Sequence, residues 1–161
     1  MINQKLKLLI KERFKVGDFS GVKEILKSSN LEEISGILLG LGMDSDNDLS
    51  PYFFILELIF DDEKASLHDI AFTLLSYPFC WIPGAYQIAL RHEQRAIKLE
   101  PSNFDYKKRI LNLAIIPEHV LPIEEAANYA REVLKIFPQH KKSLEIMKRL
   151  AKNTKKQKDK K

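Results

Sequence analysis

The feature that most constrains this chain is an internal repeat in its second half. Residues 89–114 align with residues 126–151 when the sequence is shifted by 37 positions. The matching pairs include Ala89 with Ala126, Leu99 with Ile136, Pro101 with Pro138, Leu113 with Leu150 and Ala114 with Ala151. Apolar residues recur at helical spacing in each copy, and a proline follows the end of a helix. The repeat therefore predicts two helix-turn-helix units.

The spacing of Ala89, Ala96 and Pro101 resembles the second helix of the tetratricopeptide family, with the pattern Ala-x6-Ala-Leu-x3-Pro. Small residues let neighbouring helices approach in such repeats, and the proline ends the helix so that the chain can reverse. The segment Gly17-Asp18-Phe19 resembles the turn between two helices of such a unit. The period is 37 rather than the 34 of that family, and Glu93 stands where an aromatic residue is usual. The resemblance implies stacked helical hairpins.

Helical periodicity and cap residues predict nine helices, and no segment alternates as a strand would. The predicted boundaries are Gly17, the capping box from Asn30 to Glu33, Gly42, Ser50 before Pro51, Ser66, Pro78, Gly84, Pro101, Asn103, Pro117, Pro122 and Pro138. The predicted helix 51–60 is apolar nearly all round, which predicts that it is largely buried. We predict an all-α fold of stacked antiparallel helical hairpins, a tetratricopeptide-like short α-solenoid. It forms one domain over residues 1–151, followed by a disordered lysine-rich tail over residues 152–161.

Composition and cysteine usage predict a folded cytoplasmic protein. Apolar residues make up 45% and charged residues 30% of the 161 residues. The single Cys80 cannot form an internal disulfide, and the first residues lack the pattern of a secretory signal. The uncharged stretch 70–90 is long enough to cross a membrane, but it contains Pro78 and Pro83. Two packed helices and a turn fit it better, so we expect no membrane span.

The formal charge of +4 conceals opposite local charges. Residues 18–69 contain three basic and twelve acidic residues, whereas residues 152–161 contain six basic and one acidic residue. Overall basicity is therefore a poor argument for nucleic-acid binding, and we expect nucleic acid to be an unlikely partner. The lysine tail is more typical of a solubilising terminus. The acidic first half, in contrast, is a local field that favours a basic partner.

The sequence contains no pattern typical of catalysis or metal binding. The four histidines lack metal-ligand spacing, and neither a phosphate loop nor a dinucleotide fingerprint occurs. Asp44-x-Asp46-x-Asp48 resembles the opening of a calcium loop, but Leu49 stands where glycine is needed and Ile55 where a bidentate glutamate is needed. We therefore expect a protein that is not an enzyme, with no cofactor, no metal and no small-molecule substrate.

The strongest functional clue is a set of acidic residues that brackets the predicted helix 51–60. Asp61 and Asp62 stand near its C-terminus, where the helix dipole disfavours anions by about 0.3–1 kcal/mol per exposed charge. A binding role would explain this position, since a concentrated negative surface suits a basic partner. The candidate partner-binding residues are Asp44, Asp46, Asp48, Asp61, Asp62, Glu63 and Asp69, with Tyr52 as the aromatic anchor.

Four segments between residues 60 and 145 resemble small helical immunity proteins of bacteria. They are SLHDIA (66–71), PFCWIPGAY (78–86), AIKLEPSN (96–103) and IPE (116–118). In that family a cytosolic protein neutralises a cognate toxin domain delivered by neighbouring cells, as in contact-dependent inhibition. The resemblance implies a stoichiometric inhibitor, and a nuclease toxin with a basic cleft would suit the acidic residues.

Two other functions are consistent with the sequence. A tetratricopeptide-like adaptor would bind a peptide in a concave groove with micromolar affinity. An RNA-binding protein that uses the lysine tail would show a steep salt dependence, which deletion of residues 152–161 would abolish.

Overall fold

The computed structural model describes residues 4–44 and 48–158, with side chains described as far as Thr154. These residues are all-α and contain no strand. The helices are α1 (Gln4–Lys15), α2 (Phe19–Leu26), α3 (Leu31–Asp44), α4 (Ser50–Asp61), α5 (Ala65–Ser76), α6 (Ala85–Leu99), α7 (Phe104–Ile110), α8 (Ile123–Ile136) and α9 (Lys141–Lys158). A 3-10 helix spans Leu111–Ala114. The predicted all-α fold of packed neighbouring helices is confirmed.

The chain divides into two compact units, residues 1–89 and residues 90–161, which we call the N-terminal unit and the C-terminal unit. In the N-terminal unit α1 packs on α2 and α3, and α3, α4 and α5 contact one another. In the C-terminal unit α8 packs against α7, α9 and the 3-10 helix. Within each unit, neighbouring helices thus cover one another's apolar faces. A single domain over residues 1–151 stays a prediction.

An aromatic cluster from α1, α2 and α4 forms part of the core of the N-terminal unit. The ring centroids of Phe14 and Phe54 lie 5.8 Å apart, and the ring of Phe19 lies 5.8 Å from Phe14 and 6.0 Å from Phe54. Such contacts contribute about 0.5–1.5 kcal/mol beyond the burial of area. The cluster ties the first helical hairpin to α4.

Two predicted boundaries of the N-terminal unit are confirmed. Gly17 has a φ of +68° between α1 and α2, a conformation that glycine adopts without strain. Asn30 and Glu33 form the predicted capping box: the Glu33 N–H donates to Asn30 Oδ1 at 2.9 Å, and the Asn30 N–H donates to Glu33 Oε2 at 3.1 Å. Gly17 thus separates α1 from α2, and the capping box sets where α3 begins.

Two predicted N-caps are wrong. Ser50 and Ser66 both lie inside helices, and the residues at the N-cap positions are Leu49 for α4 and Lys64 for α5. Neither of these two caps makes a side-chain hydrogen bond to its helix. A carboxylate acts at α4 instead, because Asp48 Oδ1 accepts the Ser50 N–H at 2.8 Å.

The predicted end of α3 at Gly42 is also wrong, since the helix continues to Asp44. Gly42 marks a close contact rather than a helix end. A Cβ atom at Gly42 would lie 3.1 Å from side-chain carbons of both Pro78 and Phe79. Glycine therefore lets the backbone of α3 approach the segment that follows α5.

The prediction that α4 is largely buried is wrong. Its buried residues are Pro51, Phe54 and Ile55, whereas Phe53 is 49% exposed and Phe60 is 91% exposed. The physical reason is that α4 packs on α3 and α5 and leaves another face open to solvent. A helix that is apolar all round must then expose aromatic side chains.

The helices of the C-terminal half follow the repeat seen in the sequence. Ala96 and its repeat partner Val133 are fully buried, and so are Glu93 and its repeat partner Ala130. A single helix was expected between the predicted boundaries Asn103 and Pro117, and this is wrong in part, because α7 changes at Leu111 into the 3-10 helix.

Helix α9 runs to Lys158, past the end predicted near residue 152 and through most of the predicted tail. No proline or glycine follows Pro138. Lysine is a good helix former, and cations near a helix C-terminus are favoured by the helix dipole.

Candidate protein-binding surface

Helix α4 holds the predicted partner-binding residues apart. At 1.5 Å per residue its 12 residues span about 18 Å. Asp44 and Asp48 precede its N-terminus, whereas residues 61–63 lie at its C-terminus. Asp46 lies outside the described residues. Apart from Asp69, which lies in α5, the described acids therefore form two groups, one at each end of α4, rather than one surface.

The group at the N-terminus of α4 is partly neutralised by α1. Lys7 Nζ lies 3.1 Å from Asp44 Oδ2. This pair lines a cleft of about 500 Å³ together with Lys5 and Lys11. Asp48 is occupied by the backbone N–H of Ser50. Asp44 and Asp48 thus have structural roles, and three lysines weaken the negative field beside Asp44.

The second group lies in the connection from α4 to α5. We define the acidic turn as Phe60, Asp61, Asp62 and Glu63, whose side chains are all exposed. The Asp62 N–H donates to the Leu58 carbonyl oxygen at 3.1 Å and closes the last turn of α4. Asp62 itself is extended, so the chain turns away from the helix axis at this point. Three consecutive carboxylates are therefore presented next to one aromatic ring.

Each carboxylate of the acidic turn has a positively charged or histidine neighbour. The contacts are Asp61 Oδ2 to Lys23 Nζ at 2.5 Å, Asp62 Oδ2 to Lys64 Nζ at 2.6 Å, and Glu63 Oε1 to His68 Nε2 at 3.0 Å. The side chain of Lys64 is exposed, whereas those of Lys23 and His68 are only 28% and 8% exposed. An ion pair between exposed side chains contributes only about 0–1 kcal/mol, so the arginines and lysines of a partner can compete with Lys64 for Asp62.

Lys23 is the main cation at the acidic turn. Its Nζ contacts Asp61 and also lies 3.2 Å from Glu57 Oε1. The hydrogen bond from Lys23 to Asp61, with a smaller effect from Glu57, raises the pKa of Lys23 above its usual value. One lysine thus faces two carboxylates, and the local charge stays negative.

Two further predicted residues are less available to a partner. Asp69 is half-buried in α5, and one of its carboxylate oxygens is buried. Tyr52 is half-buried in α4, and this burial raises the pKa of its hydroxyl. The predicted aromatic anchor is therefore not the most exposed aromatic side chain of α4.

The sequence interpretation missed Phe60 as a candidate anchor. Phe60 is 91% exposed and directly precedes the three acids. Two features of the sequence pointed to Phe60. It is an aromatic residue next to two aspartates, and its helix has more apolar residues than one buried face can hold. Those features do not say which apolar residue faces solvent.

Comparison with known proteins does not indicate what the acidic turn binds. No family model, curated protein or solved structure matches the chain. None of the helices in the described ranges is long and apolar enough to cross a membrane. Histidine, cysteine and carboxylate side chains form no group of three that could hold a metal ion among the residues described. The function is therefore inferred from the geometry of the acidic turn and from the sequence.

Proposed function

We propose that the chain is a protein-binding protein that holds a basic partner at the acidic turn. The observation that supports this proposal is the 91% exposed Phe60 beside three exposed carboxylates. An aromatic residue surrounded by polar groups is typical of the residues that dominate binding energy at protein interfaces. Carboxylates around it would speed the encounter with a basic surface and favour basic partners over acidic ones.

We further propose that this partner is a cognate toxin domain and that the chain is its immunity protein in the cytoplasm. The resemblance of segments between residues 60 and 145 to immunity proteins supports this proposal. A nuclease is the toxin class that best suits the acidic turn, because a nuclease cleft must be basic to hold phosphates. Residues 61–63 would occupy that cleft in place of the phosphates, and the protein would inhibit by stoichiometric binding.

Site-specific photocrosslinking in cells of the native host tests this proposal by capturing the partner directly. A photoreactive phenylalanine analogue replaces Phe60. Tyr77, which is 67% exposed in the same unit, provides the matched control position. We expect a basic protein to crosslink at position 60 and not at position 77. The purified partner should then lose its enzymatic activity when mixed with one equivalent of this chain.

Two results would contradict the proposal. Equal crosslinking of the same proteins at positions 60 and 77 would show that Phe60 makes only non-specific contacts, as any exposed apolar side chain can. A captured partner with an acidic surface would rule out the electrostatic basis of recognition. Micromolar binding to a short peptide from the captured protein would instead indicate an adaptor.

A further inference from the structure

The two units carry opposite charges. Residues 1–89 contain eight basic and thirteen acidic residues, whereas residues 90–161 contain eighteen basic and nine acidic residues. Much of the positive charge of the C-terminal unit lies on α9. At 3.6 residues per turn, four basic residues of α9 fall within an arc of about 100° around the helix axis. We call these residues the cationic stripe: Lys141, Lys148, Arg149 and Lys152.

The cationic stripe faces away from the core of the C-terminal unit. Ser143 and Ile146, on the other side of α9, are fully buried. Glu145 is the single acid between residues 141 and 158, and its Oε1 lies 2.6 Å from Arg149 Nη2. Several positive charges therefore line one helix with a single acid among them, which is the electrostatic footprint of a polyanion site.

A cleft of about 430 Å³ adjoins the cationic stripe and shares Arg149 and Lys152 with it. The cleft is lined by Ala114, His119, Leu121, Pro122, Ile123, Arg149, Lys152 and Asn153. Apart from His119, its lining is apolar on the side of residues 114–123, and it is cationic or amide-bearing on the side of α9. An apolar cleft with a few polar groups at its edge suits a flat heterocycle that carries a negative group.

His119, which lines this cleft, has an unusual backbone conformation. It is the non-glycine residue with positive φ among those described, at +45°. Its Nδ1 lies 3.3 Å from the carbonyl oxygen of Ala114, which also lines the cleft. Left-handed backbone at a non-glycine residue costs free energy and is concentrated at binding sites.

We propose that this face of the C-terminal unit binds single-stranded nucleic acid, with phosphates along the cationic stripe and one base in the cleft. A single strand can offer an unstacked base, whereas the bases of a duplex are stacked inside it. The proposal does not depend on the acidic turn. It also revises the expectation that nucleic acid is an unlikely partner, because α9 gathers four basic residues on one face.

Salt-dependent fluorescence anisotropy with a labelled oligouridylate of about 20 nucleotides tests the cationic stripe. The variant K148Q/R149Q/K152Q removes three stripe charges. Removing three phosphate contacts should lower the slope of log affinity against log salt by about 2, at about 0.7 per contact for single strands. We expect at least about tenfold weaker binding near 0.1 M salt.

The matched control is R91Q/K98Q/K135Q, which removes three exposed charges from the C-terminal unit outside the stripe. We expect the control variant to change the slope by less than about 0.5. Equal effects of the two triple variants would overturn the proposal, since net charge alone would then explain binding. Failure of the wild type to bind the oligonucleotide, with binding to vesicles rich in anionic lipid, would overturn it in favour of a membrane surface.

An oligonucleotide of the same length without bases tests the cleft. We expect it to bind the wild type at least about threefold more weakly than oligouridylate, because the cleft loses its occupant. Equal affinity for the two oligonucleotides would show that the cleft takes no part. Tighter binding to a duplex of equal length would contradict the preference for single strands.

Discussion

Lys23 Nζ lies 2.5 Å from Asp61 Oδ2 and joins α2 to the C-terminal end of α4. The dipole of α4 disfavours an anion at this end, and Lys23 offsets that effect. Asp61 therefore has a structural reason for its position, and a partner is not needed to explain it. The remaining evidence for binding is the exposed Phe60 together with the neighbouring carboxylates of Asp62 and Glu63.

Phe60→Ala should leave the free energy of unfolding almost unchanged, within about 0.5 kcal/mol, because Phe60 contributes little to the core. Phe54→Ala should cost about 3–5 kcal/mol, since Phe54 is 1% exposed and belongs to the aromatic cluster. Urea unfolding of both variants measures the difference. A loss above about 2 kcal/mol for Phe60→Ala, the lower end of core truncations, would show that Phe60 is a packing residue.

Gly40 and Gly42 in α3 should respond in opposite ways to substitution by alanine. At Gly40 a Cβ atom would meet the flexible end of Lys7, so Gly40→Ala should stabilise by up to about 1 kcal/mol through helix propensity. At Gly42 it would meet the rings of Pro78 and Phe79, so Gly42→Ala should destabilise by about 1–3 kcal/mol. Thermal unfolding compares them directly. Stabilisation by both substitutions would contradict the close approach at Gly42.

The sequence predicted helix ends well where the signal acts within a few residues. Gly17 and the box from Asn30 to Glu33 are examples, because their hydrogen bonds and backbone angles are local. Asp48 also acts locally, but as a carboxylate two residues before Ser50. The prediction that Ser50 caps α4 is therefore wrong, because nearby polar side chains compete for the same backbone N–H groups.

The acidic surface was harder to predict, because it depends on contacts between distant parts of the chain. Lys23 is 38 residues from Asp61, and Lys7 is 37 residues from Asp44. The exposure of Phe60 depends on where α3 and α5 pack on α4. Periodicity alone could not choose an outward face for a helix that is apolar all round.

Lys107 and Glu132 form an asymmetric ion pair at 2.7 Å, with 8% of the lysine side chain and 48% of the glutamate side chain exposed. Glu132→Ala should cost about 1–3 kcal/mol, because it leaves a buried ammonium without its carboxylate. Lys107→Met keeps the aliphatic stem and leaves Glu132 in water, so it should cost less than about 1 kcal/mol. Chemical unfolding of both single variants and the double variant measures this coupling. A larger cost for Lys107→Met would contradict the assignment.

His140 should make stability depend on pH in mildly acidic solution. Burial, followed by the charges of Lys108 and Lys142, lowers the pKa of His140 from 6.5. The Ser143 N–H donates to His140 Nδ1 at 3.3 Å, so protonation would remove an acceptor at the start of α9. Because the unfolded state takes up the proton more readily, this stability is present above pH 6.5 and falls as the pH drops below it.

Unfolding free energies of the wild type and His140→Asn between mildly acidic and neutral pH test this dependence. Asparagine can still accept a hydrogen bond at a helix N-cap, but it does not titrate. The variant should therefore show a smaller slope of stability against pH just below 6.5. The same slope in both proteins would mean that another group is responsible.

The affinity of the captured basic partner for charge-reversed variants tests the central claim most directly. D61K/D62K/E63K reverses the acidic turn, and E12K/E32K/E118K makes the same charge change at exposed acids elsewhere. Calorimetric titration should show that the first variant binds at least about 100-fold more weakly and that the second stays within about tenfold of the wild type. Circular dichroism should show equal helical content for all three proteins. An unchanged affinity of D61K/D62K/E63K would contradict the account.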